Sequence, residues 1–267
     1  MNNTPVVIVT GASRGLGAAV AHWLGKAGSA VTLIARSEEK LSETGGDVRR
    51  LGGEPLIFRA DVSRYDACRE AVDNTLDRFG RIDAVVNNAG IVQPISAIAR
   101  ADPADWRYNL EVNLIGPFNL IRAAAAALSR QNGRIVNVSS GAAKLALESI
   151  SAYCTAKAAL NHFTRILAVE EPELTTVAVR PGVVDTDMQI FIREEGRRTM
   201  PSDQADYYRQ LKDRGELEPA AIPGRSIAWL AFYAPREFSG RFLDYDDPRI
   251  QGPALEVFGE KLARVSG

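Results

Sequence analysis

Short apolar runs alternate with longer stretches of helical period from near the start of the chain. Val6-Val7-Ile8-Val9-Thr10 predicts a buried strand, and residues 16–27 predict a helix with Val20, Trp23, Leu24 and Ala27 on one side. The alternation repeats. Strands are predicted at 31–35, 56–58, 84–87, 134–138 and 176–179, and helices at 38–51, 66–79, 105–128 and 152–169. Gly45-Gly46 weakens the middle of the second helix. Strands that are apolar on both sides, each followed by a helix, predict an α/β fold: a doubly wound parallel β-sheet with helices on both faces, in three α/β/α layers.

After Pro181 the pattern changes. Residues 187–218 are polar and charged with aromatics at Phe191, Tyr207 and Tyr208, and they predict a helical insertion that forms a lid. A helix at 222–233, a short strand at 241–243 and a final helix complete the chain. No linker, internal repeat or low-complexity segment divides it, so residues 1–267 are expected to form a single domain. The alanine-rich stretch 123–127 permits close helix packing, either on the sheet or between subunits.

Composition narrows the classes of function. Net charge is −1 with a pI near 6.2, which removes the electrostatic footprint of a nucleic-acid binder and leaves a small molecule as the expected partner. Cys68 and Cys154 form no metal or disulfide pattern, and His22 and His162 lie in helical stretches without a second ligand at metal spacing, so no metal is expected. The N-terminus runs directly into an apolar strand without a signal-peptide pattern, and no run of about 18 apolar residues predicts a membrane span. A soluble, cytoplasmic setting is expected.

The sequence Thr10-Gly11-Ala12-Ser13-Arg14-Gly15-Leu16-Gly17 joins the first strand to the first helix. Gly11 permits the tight turn, Gly15 lets the backbone approach a pyrophosphate, and Gly17 lets the helix pack on the sheet. The helix N-terminus adds free N–H groups and a positive dipole. This is the junction of a Rossmann-type nucleotide site, one residue longer than the common G-x-G-x-x-G. At the end of the second strand, Ile34-Ala35-Arg36-Ser37 lacks the carboxylate that takes the ribose hydroxyls of NAD. Arg36, with Arg14 closing from the glycine loop, is expected to hold a 2′-phosphate, which makes NADP (NADPH) the expected cofactor. The competing reading, in which Arg36 is a solvated loop residue and NAD is used, stays open.

Tyr153 and Lys157 are four apart on a predicted helix and so share a face. Two unit charges about 4 Å apart interact by about 4 kcal/mol at an effective dielectric of about 20. With about 1.4 kcal/mol per pKa unit, the lysine is expected to lower the phenol from roughly 10 by a couple of units. Tyr153 would then exchange protons at neutral pH.

Taken in order, Thr10 to Gly17, Asp61-Val62, Asn87-Asn88-Ala89-Gly90, Asn113, Ser139-Ser140, Tyr153/Lys157 and Pro181-Gly182-Val183-Val184-Asp185-Thr186 resemble the motifs of the short-chain dehydrogenase/reductase family, from about Val6 to Leu243. The resemblance implies that Asp61 and Val62 bind the adenine, and that Asn88, Ala89 and Gly90 line its ribose. It implies that Pro181, Val184 and Thr186 surround the nicotinamide carboxamide, and that Tyr153 and Lys157 touch the nicotinamide ribose. It also implies a catalytic set: Tyr153 as general acid, Lys157 behind it, Ser140 on the substrate carbonyl, and Asn113 holding a water for proton resupply. Ser140 is preferred to Ser139 because adjacent strand residues face opposite sides, and because the family places its serine thirteen before the tyrosine.

The expected activity is that of an NADPH-dependent carbonyl reductase, an NADP-dependent oxidoreductase acting on CH–OH donors in reverse, and such enzymes form homo-oligomers, dimers or tetramers. Gln93, Leu147, Met188 and Phe191 are the candidate substrate contacts, and their apolar character favours a hydrophobic or aromatic ketone or diketone. The 181–193 and 238–250 segments are similar to fungal and bacillar benzil reductases that form (S)-benzoin, a group related to sepiapterin reductases. Two alternatives stay open: an NADP-dependent alcohol, polyol or secondary-metabolite dehydrogenase, and a non-catalytic NADP-binding regulator.

Overall fold

A computed structural model describes residues 4–262. Its seven-stranded sheet is parallel throughout, in the order β3-β2-β1-β4-β5-β6-β7. The strands are β1 Val6–Thr10, β2 Ala30–Ala35, β3 Glu54–Arg59, β4 Ala84–Asn87, β5 Arg134–Val138, β6 Thr175–Arg180 and β7 Phe242–Asp244. The helices are α1 Gly15–Lys26, α2 Glu38–Arg50, α3 Tyr65–Phe79, α4 Pro103–Leu110, α5 Gly116–Ser129, α6 Ser151–Glu170, α7 Asp187–Thr199, α8 Ser202–Asp213, α9 Ala221–Tyr233 and α10 Pro248–Phe258. This is the doubly wound α/β/α fold that the hydrophobic pattern predicts.

Alternation along β1 builds two cores. Val7 and Val9 point to the face covered by α1, α2, α9 and α10, while Ile8 points to the face covered by α3, α5 and α6. Trp23 is the largest fully buried side chain of the first core; its indole N–H donates to the Ala221 carbonyl at 2.7 Å, tying α1 to α9. Gly45 does not break α2. It faces β3, where a Cβ would come within 3.0 Å of Ile57 Cδ1, so its absence lets helix and strand approach. The chain winds outward from β1 to β3, returns to β4 on the other side of β1, and continues to β7. The strand order therefore reverses between β1 and β4, and ligands bind such sheets at the carboxyl ends of the strands beside that point.

Two elements differ from expectation in their boundaries. The helix expected at 105–128 is a rod from Pro103 to Ser129 interrupted by a π turn at Glu111–Ile115 between α4 and α5. An 18-residue window of this rod has a mean hydropathy of 1.2, enough by length and composition to cross a bilayer, but 56% of that window is buried inside the protein, as in a core helix. Ala124 and Ala127 are buried within the chain, in the core shared with Ala71 of α3. The expected lid comprises two helices, α7 and α8, and its end returns to the sheet side, where Glu218 lies opposite Val184, donating to the Val183 carbonyl and accepting from the Asp185 N–H.

Replacing Trp23 with alanine removes a fully buried indole and its hydrogen bond, so the variant should lose about 3–5 kcal/mol of unfolding free energy in urea titration. A loss below about 1 kcal/mol would contradict the assigned role of this side chain as the anchor between α1 and α9.

Candidate active site

One cavity of about 1090 Å³ runs along the carboxyl ends of the strands, from Arg36 and Lys40 at one end to Tyr153, Leu147 and Tyr208 at the other. That volume is at the upper end of the ordinary range for small-ligand pockets, about 300–1,000 Å³. It accommodates an elongated ligand and a second molecule beside it.

The glycine loop forms one wall. Gly11 and Gly15 have φ of +64° and +55°, values that side chains rarely adopt. A Cβ on Gly17 would lie 2.2 Å from the Gly11 carbonyl oxygen, so only glycine lets α1 start this close to the turn. No side chain caps α1 at Arg14, which leaves its first-turn N–H groups available to an anion. Across the gap, Thr186 Cγ2 stands 3.1 Å from where a Gly15 Cβ would lie. The expected pyrophosphate loop and the expected carboxamide segment therefore close on the same channel, with Ser13, Leu16, Pro181 and Val184 beside them. The residues present fit a nicotinamide dinucleotide.

At the adenine end, Asp61 accepts hydrogen bonds from the Ser63 amide at 3.0 Å and hydroxyl at 2.8 Å, and from Tyr108 Oη at 3.1 Å. Burial pushes its carboxyl up, but these bonds and the charge of Arg36 outweigh it and leave the group below the usual carboxylate range. Arg36 in turn donates to Tyr108 Oη at 3.1 Å. Val62, Ala89 and Gly90 all line the cavity, but Gly90 stands beside Lys157 rather than at this end. Asn88 also lines the cavity, but its side-chain amide is spent on the Thr10 carbonyl at 2.9 Å and the Gly11 carbonyl at 3.3 Å, so it braces the glycine loop.

Arg14 corrects one expectation. Its guanidinium does not converge with Arg36; it pairs with Asp187 at the start of α7, joining the glycine loop to the lid. The second cation facing the Arg36 end is Lys40, on the first turn of α2, with Ser37 between them. Lys40 has a readable signal, since it lies four residues after Arg36 at a helix start. Tyr108 has none, because its approach to Asp61 depends on the packing of α4 against the sheet.

At the other end, Lys157 is 4% exposed, and its ammonium donates to the Val138 carbonyl at 2.8 Å. Burial depresses it to about 8. Tyr153 shares its helix face, with Lys157 Nζ 5.7 Å from the centre of the phenol ring. The expected lowering of the phenol does not occur. Desolvation pushes Tyr153 above its ordinary value, and interaction with the Ser140 hydroxyl only partly opposes it. The physical reason is that Lys157 is turned to a backbone carbonyl rather than to the phenol oxygen. Tyr153 is therefore held as a neutral phenol, the form that donates a proton.

Ser140 and Ser139 separate as strand geometry requires. The Ser139 hydroxyl is buried toward the Lys157 carbonyl at 3.5 Å, while Ser140, at the start of a single 3₁₀ turn, interacts with Tyr153. Asn113 lies in the π turn and is fully buried. Its Nδ2 donates to Ile91 O at 2.8 Å and to Asn109 O and Oδ1 at 3.0 Å each, and the Ile91 N–H donates back to its Oδ1 at 3.3 Å. A Cβ on Gly90 would lie 2.7 Å from Asn113 Oδ1 and 3.6 Å from Lys157 Nζ, so this glycine keeps open the approach between the amide and the ammonium.

Of the candidate substrate contacts, Leu147 and Met188 line the cavity. Phe191 does not: it packs behind the wall with Ile192, Met200 and Tyr208. Gln93 is exposed, and its carbonyl accepts from Asn109 Nδ2 at 2.6 Å, so it serves the rod rather than the cavity. The lid also supplies Gln204, Tyr207 and Tyr208, beyond the candidate substrate contacts.

A dinucleotide channel that ends at a serine–tyrosine–lysine cluster under a lid defines a nicotinamide-dependent oxidoreductase. Residues 5–197 match the short chain dehydrogenase model, and the chain belongs to that family. It is 34% identical over 249 residues to an uncharacterised oxidoreductase of Saccharomyces cerevisiae, covering 92% of this chain and 97% of the other. It is 31% identical over 261 residues to the benzil reductase ((S)-benzoin forming) of the same yeast, covering 93% and 98%. Among solved structures, the KRED1-Pglu enzyme superposes with a TM-score of 0.85 at 38% identity, covering 90% of this chain and all of that one.

The Lys157 environment makes a prediction about stability. The unfolded lysine keeps its proton up to its ordinary value of 10.5, while the folded one loses it near 8. Between those values the unfolded state binds more protons, so stability rises with pH across that window. Lys157→Met should remove that component. In urea melts from pH 7.5 to 10.5, the wild type should gain stability relative to the variant as pH rises; parallel curves would refute the buried, proton-poor lysine.

Proposed function

We propose that this protein is an NADPH-dependent carbonyl reductase whose substrate is a hydrophobic or aromatic ketone or diketone. The carrying observation is the placement of Ser140, Tyr153 and Lys157 at the apolar end of a channel whose other end is lined by Arg36 and Lys40. Both cations face the end of β2, where an adenine ribose with a 2′-phosphate would sit, and no carboxylate stands at Ala35 to favour an unphosphorylated ribose. The similarity to a yeast benzil reductase supports the substrate class.

When bound, the reduced nicotinamide supplies a hydride to the carbonyl carbon. The chain supplies position and the proton. The Ser140 hydroxyl orients the carbonyl oxygen and stabilises the charge that develops there. As the C=O π pair moves onto oxygen, Tyr153 gives its phenolic proton to that oxygen, and the products are an alcohol and NADP⁺. Lys157, 5.7 Å from the ring, offers the nearest positive charge to the phenolate left behind. Asn113, buried behind Gly90, shapes the path by which the proton is replaced. Met188, Ile192, Tyr207 and Tyr208 of the lid line the apolar end.

Purified protein should oxidise NADPH in the presence of aromatic diketones and not in their absence. Tyr153→Phe should lower kcat by about 10²–10⁴-fold, the usual worth of a positioned acid. Full activity in that variant would end the mechanism, and turnover only of polyols with NADP⁺ would replace the substrate class.

Arg36→Ala should raise the dissociation constant of NADPH about tenfold or more while changing that of NADH by less than about threefold, as for loss of one charge-assisted contact. Equal loss for both, read by cofactor fluorescence on binding, would remove Arg36 from the phosphate.

A further inference from the structure

At the adenine end of the cavity, three lining side chains from three separate elements form one hydrogen-bonded chain. Arg36 follows β2, Tyr108 lies on α4, and Asp61 follows β3. Arg36 Nη1 donates to Tyr108 Oη at 3.1 Å, and Tyr108 Oη donates to Asp61 Oδ2 at 3.1 Å. Chemistry fixes the direction. A guanidinium only donates and a carboxylate only accepts, so the single phenolic proton has to point at Asp61. The Ser63 amide and hydroxyl hold the other carboxylate oxygen at 3.0 and 2.8 Å, which anchors the chain at that end. The Tyr108 ring packs against the core that includes Ile34, Val62 and Val112. Burial and then the charge of Asp61 push the phenol above its ordinary value, so it keeps the proton that the chain requires.

Arg36 is the loose end. It is exposed, and among the described residues the Tyr108 hydroxyl is the one hydrogen-bond partner of its side chain. An exposed arginine has many rotamers to lose when it clasps an anion. Held at Nη1, it has already lost part of that freedom, while its Nε and Nη2 stay open to the oxygens of a phosphate. We propose that Tyr108 is a positioning residue for cofactor choice, its hydroxyl pre-setting the Arg36 guanidinium for a 2′-phosphate and so favouring NADPH over NADH. This rests on the NADPH reading and goes beyond it, because it assigns part of the selectivity to a residue that acts through Arg36 rather than on the phosphate.

The test titrates NADPH and NADH into the full-length protein and reads cofactor fluorescence on binding. Tyr108→Phe keeps the ring and removes only the hydroxyl. It should raise the dissociation constant of NADPH about three- to tenfold, the share expected from ordering one long side chain, and leave that of NADH within about twofold. Adenosine 2′,5′-bisphosphate, which carries the 2′-phosphate without the nicotinamide, should show the same loss by calorimetry. Made in the Arg36→Ala background, Tyr108→Phe should change NADPH binding by less than about twofold, because the arginine it positions is gone. An equal loss for both cofactors assigns Tyr108 to the structure of the adenine pocket and overturns the proposal. So does an undiminished or tighter NADPH affinity, and so does an additive loss in the Arg36→Ala background. If Arg36→Ala alone weakens NADPH and NADH equally, the NADPH reading has failed and takes the proposal with it; that result is distinct because it precedes any change at Tyr108.

Discussion

The site is organised around the burial of one charge. Lys157 sits inside the protein where an ammonium is costly, and the Val138 carbonyl at the end of β5 is the acceptor that holds it. That bond fixes the rotation of α6 against the sheet. The rotation in turn determines which way Tyr153 faces, which of the two serines meets it, and why Gly90 must lack a side chain. A residue that carries a charge usually stands at the margin of a fold; here it is the point from which the catalytic geometry is measured.

The same burial accounts for the state of the phenol. A lysine four residues along a helix is close enough to lower a tyrosine strongly if the two polar ends meet. They do not meet, because the ammonium has a better partner in the backbone. Desolvation then dominates, and Tyr153 is neutral. In that state the phenol can give a proton but cannot accept one.

The fold was legible because each signal was local. Apolar runs marked the strands, helical period marked their covers, and the glycine spacing from Gly11 to Gly17 marked the loop. Ser140 was separable from Ser139 because a strand alternates its faces. What was not legible depended on distant partners. The pairing of Arg14 with Asp187 joins residues 173 apart, and the contact of Tyr108 with Asp61 joins residues 47 apart. Tyr208 showed only as an aromatic in a polar stretch, since its approach to the Tyr153 chamber is made by the lid as a whole. Phe191 misled for the same reason in reverse: Met188, Gln189 and Ile192 line the cavity while Phe191 packs behind its wall.

The π turn around Asn113 has an effect along the whole rod that contains it. Adding one residue to a turn advances every later side chain by about 100°. The segment before it packs against α6, and the segment after it packs against α3. One continuous rod thus presents two differently oriented faces, joined by a phase step rather than by a loop. The buried Asn113 amide sits at that step, tied by hydrogen bonds to Asn109 before it and to Ile91 across from it.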